Sequence, residues 1–109
     1  VWLADRALGT SAATFQYFVY NNRKYGHLLD PRTGWPADGT ASASVLAPTA
    51  AAADALSTAF FVLGATAAAD YCRSRPDLAA VVLPDDATAP RQVGLPPEHY
   101  APPAARDLF

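Results

Sequence analysis

This sequence predicts an α+β fold: an antiparallel sheet with one long buried helix and a second, short helix. Four stretches predict it. "TFQYFVY" (14–20) and "ASASVLA" (41–47) have strand character, aromatic or β-branched in the first and small and alternating in the second. "AAAADALSTAFFVL" (50–63) is a helix framed by Thr49 and Gly64. "LAAVVL" (78–83) is a short unbroken apolar run, the signature of a buried strand.

Taken in order, residues 1–9 read as the end of a strand and the turn after it, so Thr10 and Ser11 fall where strand gives way to loop. The aromatic strand 14–20 follows. "NNRK" (21–24) is a turn, and "YGHLL" (25–29) returns antiparallel. The loop 30–40 contains Pro31, Gly34, Pro36 and Gly39. Each proline fixes its own φ and biases the residue before it toward extended geometry. In the long helix, Leu56, Phe60 and Leu63 share a stripe, and alanine covers much of the rest. Apolar on nearly all sides, such a helix is expected between layers. Thr66 is placed to cap a second helix over 67–75, which Pro76 ends.

From Pro84 the prolines crowd together and periodicity stops. This gives two regions, a folded 1–83 and a Pro-rich extended tail, 84–109, packed at most by Leu95, Tyr100 and Phe109. Much of the 51% hydrophobic content is alanine. The core therefore depends on Trp2, Leu3, Phe15, Phe18, Leu56, Phe60, Phe61, Leu63, Val81 and Val82.

Charge and composition exclude several classes. Eight basic against ten acidic residues give a net −2, which leaves no basic surface for nucleic acid. No apolar run is long enough to span a bilayer. The single Cys72 makes no internal disulfide, and no Cys/His spacing suggests zinc. Starting at Val1, without an initiator methionine or a signal-peptide charge pattern, the chain reads as a piece of something longer.

Chemistry concentrates at three places. Asp54 and Thr58 are one helical turn apart on one face and can offer two oxygens to a hard cation such as Mg²⁺. Alternatively, that face is wet, with Asp54 favoured near the helix start by the dipole. Thr10 and Ser11, with free N–H groups in a turn, can hold phosphate or simply satisfy the turn. "GHLLDPRTGWP" (26–36) brings together His27, Asp30, Arg32 and Thr33, either as turn chemistry or as a phosphate or metal loop. Arg32 suits a phosphate fork or a surface bracing role. His99, in the tail, reads as solvated.

In order and separation, "GTSAATF", the aromatic strand, "YGHLLDPRTGWPA", the Ser/Val strand and "ADALSTAFFVLG" resemble the FAD:protein FMN transferases of the ApbE type over residues 1–83. The resemblance implies one half of a larger two-half α+β fold, here the C-terminal half. It places Thr10, Ser11, His27, Asp30 and Arg32 at the flavin dinucleotide, and Asp54 and Thr58 on Mg²⁺. His27 would take the proton from a Thr or Ser hydroxyl of an acceptor flavoprotein, a task that suits an imidazole titrating near neutrality. FMN would pass to that hydroxyl and AMP would leave. The remaining metal ligand and most of the flavin pocket would come from the N-terminal half of the same protein, so the isolated chain is expected to be inactive and able to self-associate.

Two other functions fit the same residues: Mg²⁺-dependent FAD hydrolysis to FMN and AMP, and a non-catalytic flavin-binding or interaction module. One departure favours the last. Ala12 stands where the family has glycine, adding a methyl group where pyrophosphate should pass. The family is often exported and membrane-anchored, which is the expectation for compartment.

Overall fold

The computed structural model describes residues 5–13, 17–86 and 89–94. Trp2, Leu3, Phe15, Leu95, His99, Tyr100 and Phe109 lie outside the described residues. The elements are β1 (Ala7–Ala12), β2 (Tyr17–Tyr20), β3 (Arg23–Gly26), β4 (Thr40–Ala47), α1 (Ala50–Leu63), α2 (Ala65–Cys72), β5 (Ala79–Pro84) and β6 (Arg91–Val93). A four-stranded sheet runs β1-β4-β5-β6, every neighbour antiparallel, and β2-β3 forms a separate hairpin.

The hairpin turn is shorter than "NNRK" suggests. Asn21 and Asn22 both have positive φ, 50° and 62°, the geometry of a two-residue type I′ turn. Asparagine tolerates that region, so the turn needs only this pair, and Arg23 and Lys24 return to the strand. Phe18 stacks on Tyr25 across the hairpin at 5.1 Å between ring centroids.

Helix α1 begins and ends where its capping chemistry dictates. The Thr49 hydroxyl accepts from the Ala52 N–H at 3.1 Å. Gly64 takes φ 91° while its N–H reaches the Phe60 carbonyl at 2.8 Å. The helix packs on β1 and β4, turning Ala53, Ser57, Phe60 and Phe61 inward. This corrects the expected stripe: Leu56 is half-buried and Leu63 is 47% exposed. The reason is β1. A Cβ at Gly9 would lie 2.6 Å from the Ala53 carbonyl oxygen, so the helix approaches the strand backbone-on-backbone. Only small side chains fit that seam, and the large ones move to its flanks. The outer face, including Ala51, Asp54 and Ala55, is exposed.

Helix α2 starts directly after Gly64, with Thr66 inside its first turn and no side-chain cap. It ends at Cys72, three residues earlier than expected, as the Arg75 N–H turns back to the Cys72 carbonyl. Cys72 is buried, and burial pushes its thiol pKa up, which makes it a packing group rather than a nucleophile. The core gathers Ala43, Val45, Phe60, Phe61, Ala80 and Val82 between the sheet and the helices. Phe18, expected in that core, is exposed on the hairpin.

Beyond Pro84 the chain adds a fourth strand. Ala80, Val81 and Val82 of β5 pair with Val93, Gln92 and Arg91 of β6. Gly94 follows at φ 75°, where a Cβ would lie 2.6 Å from the Leu78 carbonyl.

Gly9→Ala in the full-length protein is expected to cost about 1–3 kcal/mol, the usual range for overpacking, as a lower urea midpoint. An unchanged midpoint would mean that α1 can stand off β1 at no cost.

Candidate functional site

Strand alternation sends Thr10 and Ser11 to opposite faces of the sheet. Both lie inside β1, opposite Ser44 and Ala43, so the turn expected there does not exist. The Thr10 and Ser44 hydroxyls are 2.9 Å apart on the face away from α1. Ser11 faces the helix, its oxygen 2.9 Å from Ser57 Oγ and 3.1 Å from Thr58 Oγ1. Ala12 comes next and by alternation points with Thr10, away from α1.

Asp54 and Thr58 lie one turn apart on α1, Asp54 exposed and Thr58 half-buried. Both side chains are hard oxygen donors, chemistry that suits Mg²⁺. They can supply two of its six ligands. Among the described residues, no three His, Cys, Asp or Glu side chains gather into a cluster that could hold a metal alone. Water or other oxygens would have to complete the shell.

The 26–36 loop is organised around Asp30. Its backbone N–H donates to the Trp35 carbonyl at 2.8 Å, and its carbonyl accepts from the N–H groups of Gly34 at 2.8 Å and Thr33 at 3.2 Å. Its carboxylate, 12% exposed, accepts from the Arg32 backbone N–H at 2.9 Å, from Nε at 3.0 Å and from Nη2 at 2.7 Å. The Arg32 hydrogen bonds hold the Asp30 carboxyl below its ordinary value, and Asp30 raises Arg32 in turn. Asp30 and Arg32 therefore brace each other, and their bonds account for the loop's shape without a ligand. The exposed outer side of Arg32 still borders a cleft.

That cleft, about 470 Å³, lies between the loop and the helix. Leu29, Asp30, Pro31 and Arg32 wall one side; Ala55, Thr58, Ala59, Val62 and Leu63 wall the other. His27 is exposed in an adjoining cleft of about 370 Å³ with Tyr17, Phe18, Tyr25 and Pro36. Leu29 borders both. The fold thus brings together Asp30, Arg32 and Thr58, and through Thr58 also Ser11. Thr10 stays on the far face of the sheet. A larger cavity of about 640 Å³, beside Gly26, Gly39 and Asp85, contains none of the candidate residues.

Two hydroxyls escaped sequence reasoning: Ser44, cross-strand partner of Thr10, and Ser57, fully buried against Ser11. The spacing Ala53, Ser57, Phe60, Phe61 carried a signal for Ser57, since it is an equally valid helical stripe with small residues at one end.

The sequence profile of the ApbE family matches residues 1–82. The chain belongs to the ApbE family. Among curated relatives, the FAD:protein FMN transferase of Haemophilus influenzae is 47% identical over 65 residues, covering 59% of this chain and 19% of that protein. The FAD:protein FMN transferase of Treponema pallidum is 38% identical over 87 residues, covering 78% of this chain and 24% of that protein. Of solved structures, the ApbE protein of Thermotoga maritima superposes with a TM-score of 0.68 at 32% identity, covering 79% of this chain and 28% of its own. The Pseudomonas stutzeri flavinyl transferase ApbE, in its apo form, gives 0.65 at 30% identity, with 85% and 30% covered. The chain therefore spans about a fifth to a quarter of the length of these curated relatives. Its sheet and helices are one part of the larger ApbE fold.

The Asp30–Arg32 pair sets an acid limit on the loop. A carboxyl held low stabilises the folded form above its ordinary value of 3.8, and that contribution is lost as pH falls through the lower folded-state value. Carbon NMR of labelled aspartate in the full-length protein should show Asp30 titrating below 3.8, and Arg32→Ala should raise the midpoint toward it. A midpoint unmoved by the substitution would remove Arg32 as the cause.

Proposed function

We propose that this chain is part of a Mg²⁺-dependent FAD:protein FMN transferase, which moves FMN from FAD to a Thr or Ser hydroxyl of an acceptor protein and releases AMP. The observation that supports it most is the meeting of the two clefts at Leu29. A proton acceptor, His27, borders one, and the cation-directed oxygen of Thr58 borders the other. The names of the relatives supply the reaction class.

In this reading the acceptor hydroxyl oxygen bonds to the phosphorus on the FMN side of the pyrophosphate. The bond from that phosphorus to the bridging oxygen breaks, and AMP carries the electron pair away. His27 takes the hydroxyl proton. Asp54 and Thr58 would hold Mg²⁺, whose charge offsets that of the pyrophosphate when it is bound. Arg32, fixed by Asp30 at the cleft wall, adds a positive edge to the same surface.

The rest of the parent protein is the proposed partner that closes both clefts over the flavin and adenine. Leu29, Leu63 and Trp35 are exposed where such a partner would dock, the last 68% exposed. Separated from it, the chain is proposed to be inactive and prone to self-association. We propose, as the family resemblance suggests, that the parent works outside the cytoplasm, anchored to a membrane.

Full-length protein incubated with FAD, Mg²⁺ and an acceptor peptide should yield flavin on the peptide and stoichiometric AMP. Free FMN would make it a hydrolase instead, and intact FAD would leave only binding. Asp54→Ala should abolish Mg²⁺-dependent cleavage with the fold retained, and His27→Ala should slow transfer about 10²–10⁴-fold. If Mg²⁺ dependence survives in Asp54→Ala, the helix face is merely wet.

The 109-residue chain alone should bind FAD more weakly than about 1 µM in calorimetry with millimolar Mg²⁺, since a ligand pocket normally buries most of its ligand. Tighter binding would mean that the pocket is already complete here.

A further inference from the structure

Four groups on β1 and α1 form a continuous hydrogen-bonded chain. Thr58 Oγ1 is 3.1 Å from Ser11 Oγ, which is 2.9 Å from Ser57 Oγ, which is 3.0 Å from the Asp54 carbonyl oxygen. Thr58 Oγ1 also lies 3.3 Å from that same carbonyl. Each hydroxyl has one proton to donate, so the geometry can be solved by counting.

A carbonyl oxygen has two lone pairs. That of Asp54 already accepts the Thr58 backbone N–H, the ordinary i to i+4 bond of α1. One lone pair remains, and the shorter contact takes it: Ser57 donates at 3.0 Å against 3.3 Å for Thr58. With its proton committed, Ser57 can only accept from Ser11. Ser11, its own proton now directed to Ser57, can only accept from Thr58. The order is Thr58 to Ser11 to Ser57 to the Asp54 carbonyl. Ser57 is fully buried, and every buried side-chain polar atom among the described residues has a partner.

The consequence falls on Thr58. A helical threonine ordinarily donates back to the carbonyl four residues earlier. Here that would send its proton to the Asp54 main-chain carbonyl, 3.3 Å away, and leave the hydroxyl held by its own helix alone. With the carbonyl occupied by Ser57, the proton turns instead to Ser11 Oγ on the strand, 3.1 Å away, which ties the hydroxyl to β1 and leaves its lone pairs uncommitted. We propose that Ser11 and Ser57 are positioning residues that hold the Thr58 hydroxyl as an oxygen donor for the divalent cation. The inference rests on the cation-binding reading of Asp54 and Thr58 given above.

The test is Mg²⁺ affinity of the full-length protein, by calorimetry and by water-proton relaxation with Mn²⁺ as a paramagnetic probe. Groups that orient a metal ligand typically cost 10–100-fold in affinity when removed. Ser57→Ala and Ser11→Ala should each weaken Mg²⁺ by about that factor. Since they act through one chain, the double variant should be no weaker than the worse single one. FAD cleavage by Ser57→Ala should fall at low Mg²⁺ and return as Mg²⁺ is raised. Phe61→Leu, which destabilises the same core, should leave the affinity unchanged. Should Ser57→Ala fail to fold, Ser11→Ala decides alone, because Ser11 is only half-buried.

Unchanged affinity in the folded serine variants, with a loss in Thr58→Ala, would overturn the positioning role and leave the metal site standing. Unchanged affinity in Thr58→Ala would overturn both.

Discussion

The contact of Gly9 with the backbone of Ala53 is the constraint on which the rest of this structure depends. A methyl group at Gly9 would also lie 3.0 Å from the Asp54 nitrogen, so the strand touches the helix at the turn that carries the Asp54 carboxylate. The contact repeats because the two periods nearly coincide. Two strand residues advance about 6.6 Å and four helical residues about 6 Å. Gly9 therefore meets Ala53, and Ser11 meets Ser57 one turn later. Small residues along both elements are a condition of the hydroxyl chain, since larger ones would push Ser11 out of reach.

The loop achieves order by a different route. Asp30 supplies a backbone donor, a backbone acceptor and a carboxylate to its own segment, and so closes the turn from within. Leu28 and Ala37 add one further rung, with the Ala37 N–H on the Leu28 carbonyl at 2.8 Å. A loop held this way needs no ligand to take its shape, which lowers the ordering cost when something binds beside it. It also presents Leu29 and Trp35 outward, 59% and 68% exposed.

Elements with local chemistry were legible in the sequence. Thr49 and Gly64 mark α1 because capping is decided within a few residues, and β4 and β5 show their strand character directly. What depended on distant partners was not legible. The inward face of α1 is chosen by β1, more than forty residues away, so Ser57 turns inward and Leu63 stays exposed. Thr10 and Ser11 read as a turn until β4 was known to extend the ladder past them. Strand β6 has only three residues and exists because β5 offers it an edge. The candidate site was legible in its chemistry, in Asp54, Thr58 and the His27 loop, and illegible in its supports. Ser57 reads as filler in an alanine-rich helix until Ser11 is placed opposite.

A carboxylate and a hydroxyl on an exposed helix face hold a divalent cation weakly, since Mg²⁺ gives up its waters reluctantly. On the proposed reading the pyrophosphate supplies the missing oxygens. Metal and dinucleotide then bind as a coupled pair, each raising the affinity for the other by the same factor. On that reading the coupling would pass through the cleft wall that Thr58 shares with Asp30 and Arg32. Arg32 favours phosphate and disfavours a bare cation there, while Asp30, by pairing with Arg32, limits that repulsion. On that reading the arrangement would favour the loaded pair over metal alone, and a transferase would gain a cation that arrives with the pyrophosphate and is not tightly held before the dinucleotide binds.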